Sequence, residues 1–217
     1  MKGKPIKTTV LSVRIIPNAS NSMLTALNVP ANHHSLGLIT TDCDDVSYTA
    51  LDEATKKADV QVVYARSMYA GSTNASTALA GEFLGILSGP DPEVVKSGLL
   101  AATEFCEGGG CFYSANSDGS IVYFAHCISR TGSYLSAQAG VTEGQALAYL
   151  IAPPMEALLG LDAALKAAHV EMKLFYGPPT ETNFAGGLLC GEQSACMAAC
   201  EAFAQAVCAV ADNPLSF

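Results

Sequence analysis

Apolar positions in this 217-residue chain alternate between two periods, one of two residues and one near 3.6. Thr8 to Ile16 is rich in β-branched residues and poor in breakers, which predicts a strand, and Ser120 to Ile128 has the same character. Leu36 to Thr40 and Ala146 to Ala152 are short apolar runs suited to buried strands. Turn chemistry follows each, Thr41-Asp42-Cys43-Asp44-Asp45 in one case and Pro153-Pro154 in the other. Leu51 to Lys57 and Leu161 to Ala168 carry good helix formers and run into the β-rich segments Val60 to Tyr64 and Val170 to Phe175. Gly81 to Gly89 and Asn183 to Gly191 read as further strands. Asp91-Pro92-Glu93 then offers an N-cap, a proline at the first helical position and an acid in the first turn. The helix it opens should reach about Glu107, with Val94, Val95, Leu99, Ala102 and Phe105 at helical spacing. Cys196, Ala199, Cys200, Phe203, Val207 and Val210 repeat that face.

These elements occur twice in the same order. Leu161 to Val170 restates Leu51 to Val60 at a shift of 110, while Val10, Ile16, Val29, Leu38 and Ile39 map to Val122, Ile128, Val141, Leu150 and Ile151 at 112. Downstream the shift falls to 102, pairing Gly89 with Gly191 and Cys106 with Cys208. A period near 100 residues is too long for a solenoid unit and fits a tandem duplication of one small domain. The expected domains are 1–109 and 110–217. Each reads as strand, strand, helix, strand, strand, helix, an α+β module with a four-stranded antiparallel sheet flanked by helices, of ferredoxin-like character. Glu107 to Gly119 joins them as a Gly and Ser run, and the adjacent aromatics Phe112 and Tyr113 are unusual for a mere linker.

Half of the residues are hydrophobic and only 14% are charged, so more surface than usual must be covered by protein. No apolar run of membrane-spanning length and no signal-peptide core is evident, which points to a subunit interface as the cover rather than a membrane. The net charge of −9 and a pI near 4.8 argue against nucleic acid as a partner. Eight cysteines without a Cys-x-x-Cys pair read as reduced thiols.

Asp42, Asp44 and Asp45 place three carboxylates within four residues after a strand, either as a solvated turn or as a cation site. Tyr69, Phe112, Tyr113 and Asn183 sit in glycine- or proline-flanked loops, where bulky side chains are poorly explained by core packing and read as loop anchors at the least. Gly71 and Gly108 to Gly110 offer hinge freedom. His126 beside Cys127 is not a nucleophile and base pair, because neighbours in a strand point to opposite faces. Spacing does not support a zinc site built from His33, His34, His126 and the cysteines. No phosphate loop, nucleophile elbow or dinucleotide fingerprint is present. No catalytic residue, metal or cofactor is therefore expected.

Asp162 to Val170 resembles the helix and strand signature of bacterial microcompartment shell domains. Ser35-Leu36-Gly37-Leu38-Ile39, Asp44-Asp45-Val46, Asp52 to Lys56, Arg66-Ser67, Tyr69-Ala70-Gly71, Ser129 to Ser136 and Glu181-Thr182-Asn183 extend the likeness over the full length, to the ethanolamine-utilisation shell proteins. The resemblance implies two circularly permuted shell domains per chain and a flat pseudo-hexagonal homotrimer beside other shell tiles. It also implies a gated central pore for small molecules, in the shell of a cytoplasmic microcompartment. It implies ethanolamine bound by Asp44, Asp45 and Glu82, with Phe112 as a cover through a cation–π contact. It places Tyr69, Gly71, Phe112, Tyr113 and Asn183 at the pore, and Lys56 and Lys166 at the tile edge. The alternative is a ligand-sensing module of the shell without a major transport role.

Overall fold

The computed structural model describes residues 2–68, 83–178 and 183–216. These form two compact units. One comprises Lys7–Gly110 with Gly132–Leu135; the other comprises Met1–Ile6, Cys111–Thr131 and Ser136–Phe217. A cut at residue 109 or 110 therefore misses two short segments, each of which belongs to the unit of the other half.

In the first unit, β2 (Val10–Ile16), β3 (Ser35–Thr41), β5 (Phe83–Gly89) and β4 (Gln61–Ser67) form an antiparallel sheet in the order β2-β3-β5-β4. Helices α2 (Asp44–Lys57) and α3 (Pro92–Gly108) cover one face, burying Ile39, Leu51, Leu87, Val95 and Leu99. The helix lies so close that a Cβ on Gly37 would come within 2.5 Å of a Val95 methyl. Strand alternation sends Leu36, Leu38, Leu84 and Ile86 to the opposite face, where they pack with Leu24 and Leu27 from and after α1 (Asn21–Ala26).

The second unit repeats this order with β7 (Val122–Ile128), β8 (Ala146–Ala152), β10 (Ala185–Gly191) and β9 (Val170–Tyr176), and adds β6 (Phe112–Ser114) and β1 (Pro5–Ile6) at the β7 edge. Its sheet is thus six-stranded, and the aromatic pair expected in a linker forms β6. Helices α5 (Pro154–Ala167) and α6 (Gln193–Asp212) bury Leu150, Leu161, Leu189, Phe203 and Val207 against one face. On the other face Phe112, Phe124, His126 and Tyr149 form a chain of ring contacts. By length and composition α6 is apolar enough to cross a membrane, contrary to the reading of the sequence, but its stripe of Cys196, Ala199, Phe203 and Val207 is buried in this unit's core.

The duplication holds at the level of single bonds. Asn28 and Gly140 both take left-handed φ, near 53° and 63°, and end α1 and α4 (Ser133–Ala139). The bonds Asn28 N–H to Thr25 O and Val29 N–H to Leu24 O recur as Gly140 to Ala137 and Val141 to Ser136. Helices α2 and α5 both have 14 residues and end on extended alanines, Ala58 and Ala168. Two registers differ from those read in the sequence. Strand pairing matches Leu38 with Tyr149, because Arg14 opposite Leu38 corresponds to His126 opposite Tyr149. In the last helix Cys106 matches Val207 rather than Cys208, because one residue fewer separates β10 from α6 than separates β5 from α3.

Helices α1 and α4 were not predicted, since their short segments carry too little periodicity to reveal a face. Helices α2 and α5 begin seven residues earlier than expected. What reads as turn chemistry is in each case a helix start, Asp44 and Asp45 as first-turn acids and Pro154 as the first-position proline.

Candidate functional site

Strand β3 ends at Thr41, and the next residues fold back into α2 with Cys43 as its N-cap. The Thr41 and Ser47 hydroxyls lie 2.6 Å apart, and the Ser47 hydroxyl also donates to the Cys43 carbonyl at 2.6 Å. This brace sets the first turn of α2, where Asp44 and Asp45 are both buried. Asp44 accepts from the Ser67 hydroxyl at 2.7 Å and from the Asp45 amide at 2.8 Å. The Ser67 amide donates to the Tyr48 hydroxyl at 3.0 Å, so the end of β4 is stitched to the first turns of α2. Tyr48 stands edge-on to Phe83, with ring centres 5.0 Å apart.

Two adjacent carboxylates at a helix amino end gain from the dipole and free amides there, which offsets part of the cost of burial. Their charge acts on the neighbours. The Cys43 thiol is pushed well above the usual thiol range, first by burial and then by Asp45 and Asp44. Burial, helped by Asp44, raises the Tyr48 phenol as well. Cys43 is therefore a protonated thiol near neutral pH. Asp42 is set apart from this pair. It is exposed and takes the Thr9 amide at 2.7 Å, serving as a clamp between the ends of β2 and β3. Sequence reasoning gave Ser67, quoted only within a family-like segment, and Tyr48 no role beside these acids, because the end of β4 meets α2 only through folding.

Glu82, Tyr69 and Gly71 lie outside the described residues. Phe112 is buried in its own unit, stacked on Phe124 at 5.4 Å and tilted against Phe184 at 6.0 Å. Tyr113, on the other side of β6, is more exposed and leans on Tyr123 across the ladder at 6.1 Å. The Tyr113 phenol is raised first by a side-chain hydrogen bond in which its O–H donates to the Cys111 sulfur. Asn183 is exposed and holds a left-handed φ of 62°. Gly109 has an ordinary φ of −84°, and a Cβ there would strike the Phe105 ring.

The two lysines differ. Lys166 is 75% exposed and pairs with Asp162 at 2.6 Å, whereas Lys56 is 20% exposed and pairs with Glu53 and, at 3.7 Å, with Asp52. Asp52 is fully buried. Its two oxygens accept the Gly132 and Leu135 amides at 2.7 and 2.8 Å, capping the start of α4. All eight cysteines are free, and among the described residues no group of three His, Cys, Asp or Glu side chains is arranged to hold a metal.

The BMC domain family matches residues 35–117, a span that begins at β3 rather than β2. The bacterial microcompartment shell protein EutL of Clostridium perfringens is 65% identical over 217 residues, all of both chains. The chain belongs to the EutL family. The crystal structure of EutL from Leptotrichia buccalis superposes with a TM-score of 0.98 at 63% identity, covering all of both chains. The trimeric shell protein PduB shares the fold at 18% identity with a TM-score of 0.74, over 94% of this chain and 89% of its own. EutL proteins are shell components of bacterial microcompartments, and this chain is one of them by identity along its whole length. Its two units are accordingly tandem shell domains.

Proposed function

We propose that this EutL chain is a structural rather than catalytic shell element. It assembles as a flat pseudo-hexagonal homotrimer whose central opening admits small molecules, and ethanolamine binding regulates that opening. The observation that carries the ligand half of this reading is the buried Asp44 and Asp45 pair at the start of α2. The protonated amine of ethanolamine brings one positive charge and several N–H donors, and its hydroxyl brings one more donor. Paired carboxylates meet that demand with charge-assisted hydrogen bonds. The second half has Pro154 and Met155 at the matching places, so one such site is expected per chain. Glu82, next to Phe83 of β5, is proposed as a third acid, and the Phe112 ring is left to its own aromatic core.

Tyr113 and Asn183, with Tyr69 and Gly71, are proposed to line and move the opening. Ligand binding shifts it only as far as the affinities of closed and open forms differ. The trimer is supported by family membership and by the same fold in a protein described as trimeric. Calorimetric titration with ethanolamine tests the site. The wild type should saturate at one ligand per chain, and Asp45→Ala should weaken binding about tenfold or more, since a hydrogen bond to a charged group contributes about 1.5–3 kcal/mol. Unchanged affinity in that variant would remove the site.

A further inference from the structure

Three cysteines of the second unit occupy places that the first unit fills with aliphatic side chains. Strand pairing matches Ile15 with Cys127 and Gly37 with Ala148, since Ile15 lies opposite Gly37 as Cys127 lies opposite Ala148. In the helices Val95 and Leu99 match Cys196 and Cys200, on the register that pairs Cys106 with Val207. The first-unit contact is tight. A Cβ on Gly37 would come within 2.5 Å of Val95 and 2.8 Å of Leu99, and Ile15 packs against the same core.

The second unit builds this contact from thiols. Cys127 packs against the core that holds Ala148, Leu189, Cys196 and Cys200. The Cys127 Sγ lies 3.7 Å from the Gln193 carbonyl oxygen, and the Cys196 Sγ lies 3.7 Å from that of Gly191 and 3.9 Å from that of Leu189. Both sulfurs thus rest against the short passage from β10 into α6. The Cys196 thiol also hydrogen-bonds the backbone of Ala148, the residue paired with Cys127. Paired residues of adjacent antiparallel strands have Cα atoms about 4.5–5.5 Å apart, so the two thiols are neighbours. Cys196 is fully buried, whereas Cys127 is partly exposed and reachable from solvent. Ile, Val and Leu fill the matching space in the first unit, so packing alone does not call for sulfur here.

We propose that Cys127 and Cys196 form a dithiol site that reacts with peroxides and closes to a disulfide, latching β7 to the first turn of α6. The Cys127 thiolate attacks one peroxide oxygen. The O–O bond breaks, leaving a sulfenic acid on Cys127 and a hydroxide that takes up a proton to become water. The Cys196 sulfur then attacks the Cys127 sulfur and forms the S–S bond, while the sulfenic hydroxyl leaves with the Cys196 proton as a second water. Two thiols together give up two electrons, and one peroxide is reduced. Burial holds the Cys127 thiol above its usual range, and burial followed by Cys127 and Cys190 pushes Cys196 up to about 11, so mild alkali supplies the thiolate this step needs. The closed latch restricts the unfolded chain between β7 and α6. It lies within the second unit and is independent of the proposed ligand site and trimer.

The test is a count of free thiols in denaturant, before and after the full chain is treated with hydrogen peroxide in mild alkali. Wild type should lose two of its eight thiols, recover them with dithiothreitol, and remain a single chain on a non-reducing gel. Cys127→Ile and Cys196→Val introduce the residues the first unit carries at those places, so both should fold, with far-UV circular dichroism as the check. Each should keep all its remaining thiols under the same treatment. Cys200→Leu, chosen in the same way, should still lose two. Oxidised wild type should unfold at higher urea than reduced wild type, with no such shift in Cys127→Ile. A wild type that keeps eight thiols, loses them irreversibly, or loses them only by joining separate chains overturns the site. A loss that survives in Cys127→Ile or Cys196→Val, or that vanishes in Cys200→Leu, overturns the pairing.

Discussion

Gly132 and Asp52 show how single residues fix the fold of this protein. Gly132 has no positive φ to excuse it, and its need is space, because Asp52, Thr55 and Lys56 of α2 close around its Cα. Gly132→Ala should therefore destabilise the chain by about 1–3 kcal/mol, the usual cost of overpacking. Urea unfolding would read this as a lower midpoint at unchanged slope. Gly140→Ala is strained for a different reason, its left-handed backbone, which Asn28 tolerates at the matching place.

At the scale of elements, α2 and α5 are one helix used in two ways. Both have the same length and the same alanine ending, yet Asp52 in α2 is sealed by α4 and Asp162 in α5 is open to solvent. Burial raises the Asp52 carboxyl above its ordinary 3.8, against the pull of the Gly132 and Leu135 amides and of Lys56, with Glu53 adding to the rise. The same burial, with Asp52 beside it, pushes the Tyr134 phenol up to about 12. The native state thus holds a proton on Asp52 more tightly than the unfolded chain does. Its contribution to stability is fully present below 3.8 and is lost as pH rises through the raised native value. The stability difference between wild type and Asp52→Asn should accordingly fall with rising pH and level off toward neutrality. Urea unfolding of both proteins at several pH values from 4 to 7 checks the sign, and a difference that grows with pH would refute it.

At the scale of the whole molecule, neither half of the sequence holds a complete unit. The first unit requires Gly132–Leu135, and the second requires the strand at Pro5–Ile6. A fragment spanning residues 7–110 should therefore unfold at lower urea than the same unit does within the full chain, since Asp52 and Tyr48 lose their partners. Equal midpoints would mean that the exchanged segment contributes little. The sequence by itself determined the duplication, the alternation of strands and helices, the helix start at Asp91 and the family. Each of these rests on periodicity, capping chemistry and identity, which are local in the chain. It also marked Asp44 and Asp45, as a turn after a strand that is either solvated or a cation site. Only the tertiary structure decided that they are buried in the first turn of a helix beside Ser67 and Tyr48. The tertiary structure likewise turned Phe112 into core, partly buried Lys56 beside Glu53 and Asp52, and sent two segments into each other's units. Those outcomes depend on which distant residue comes to lie against which, and a pattern with a period of a few residues carries no information about partners dozens of residues away.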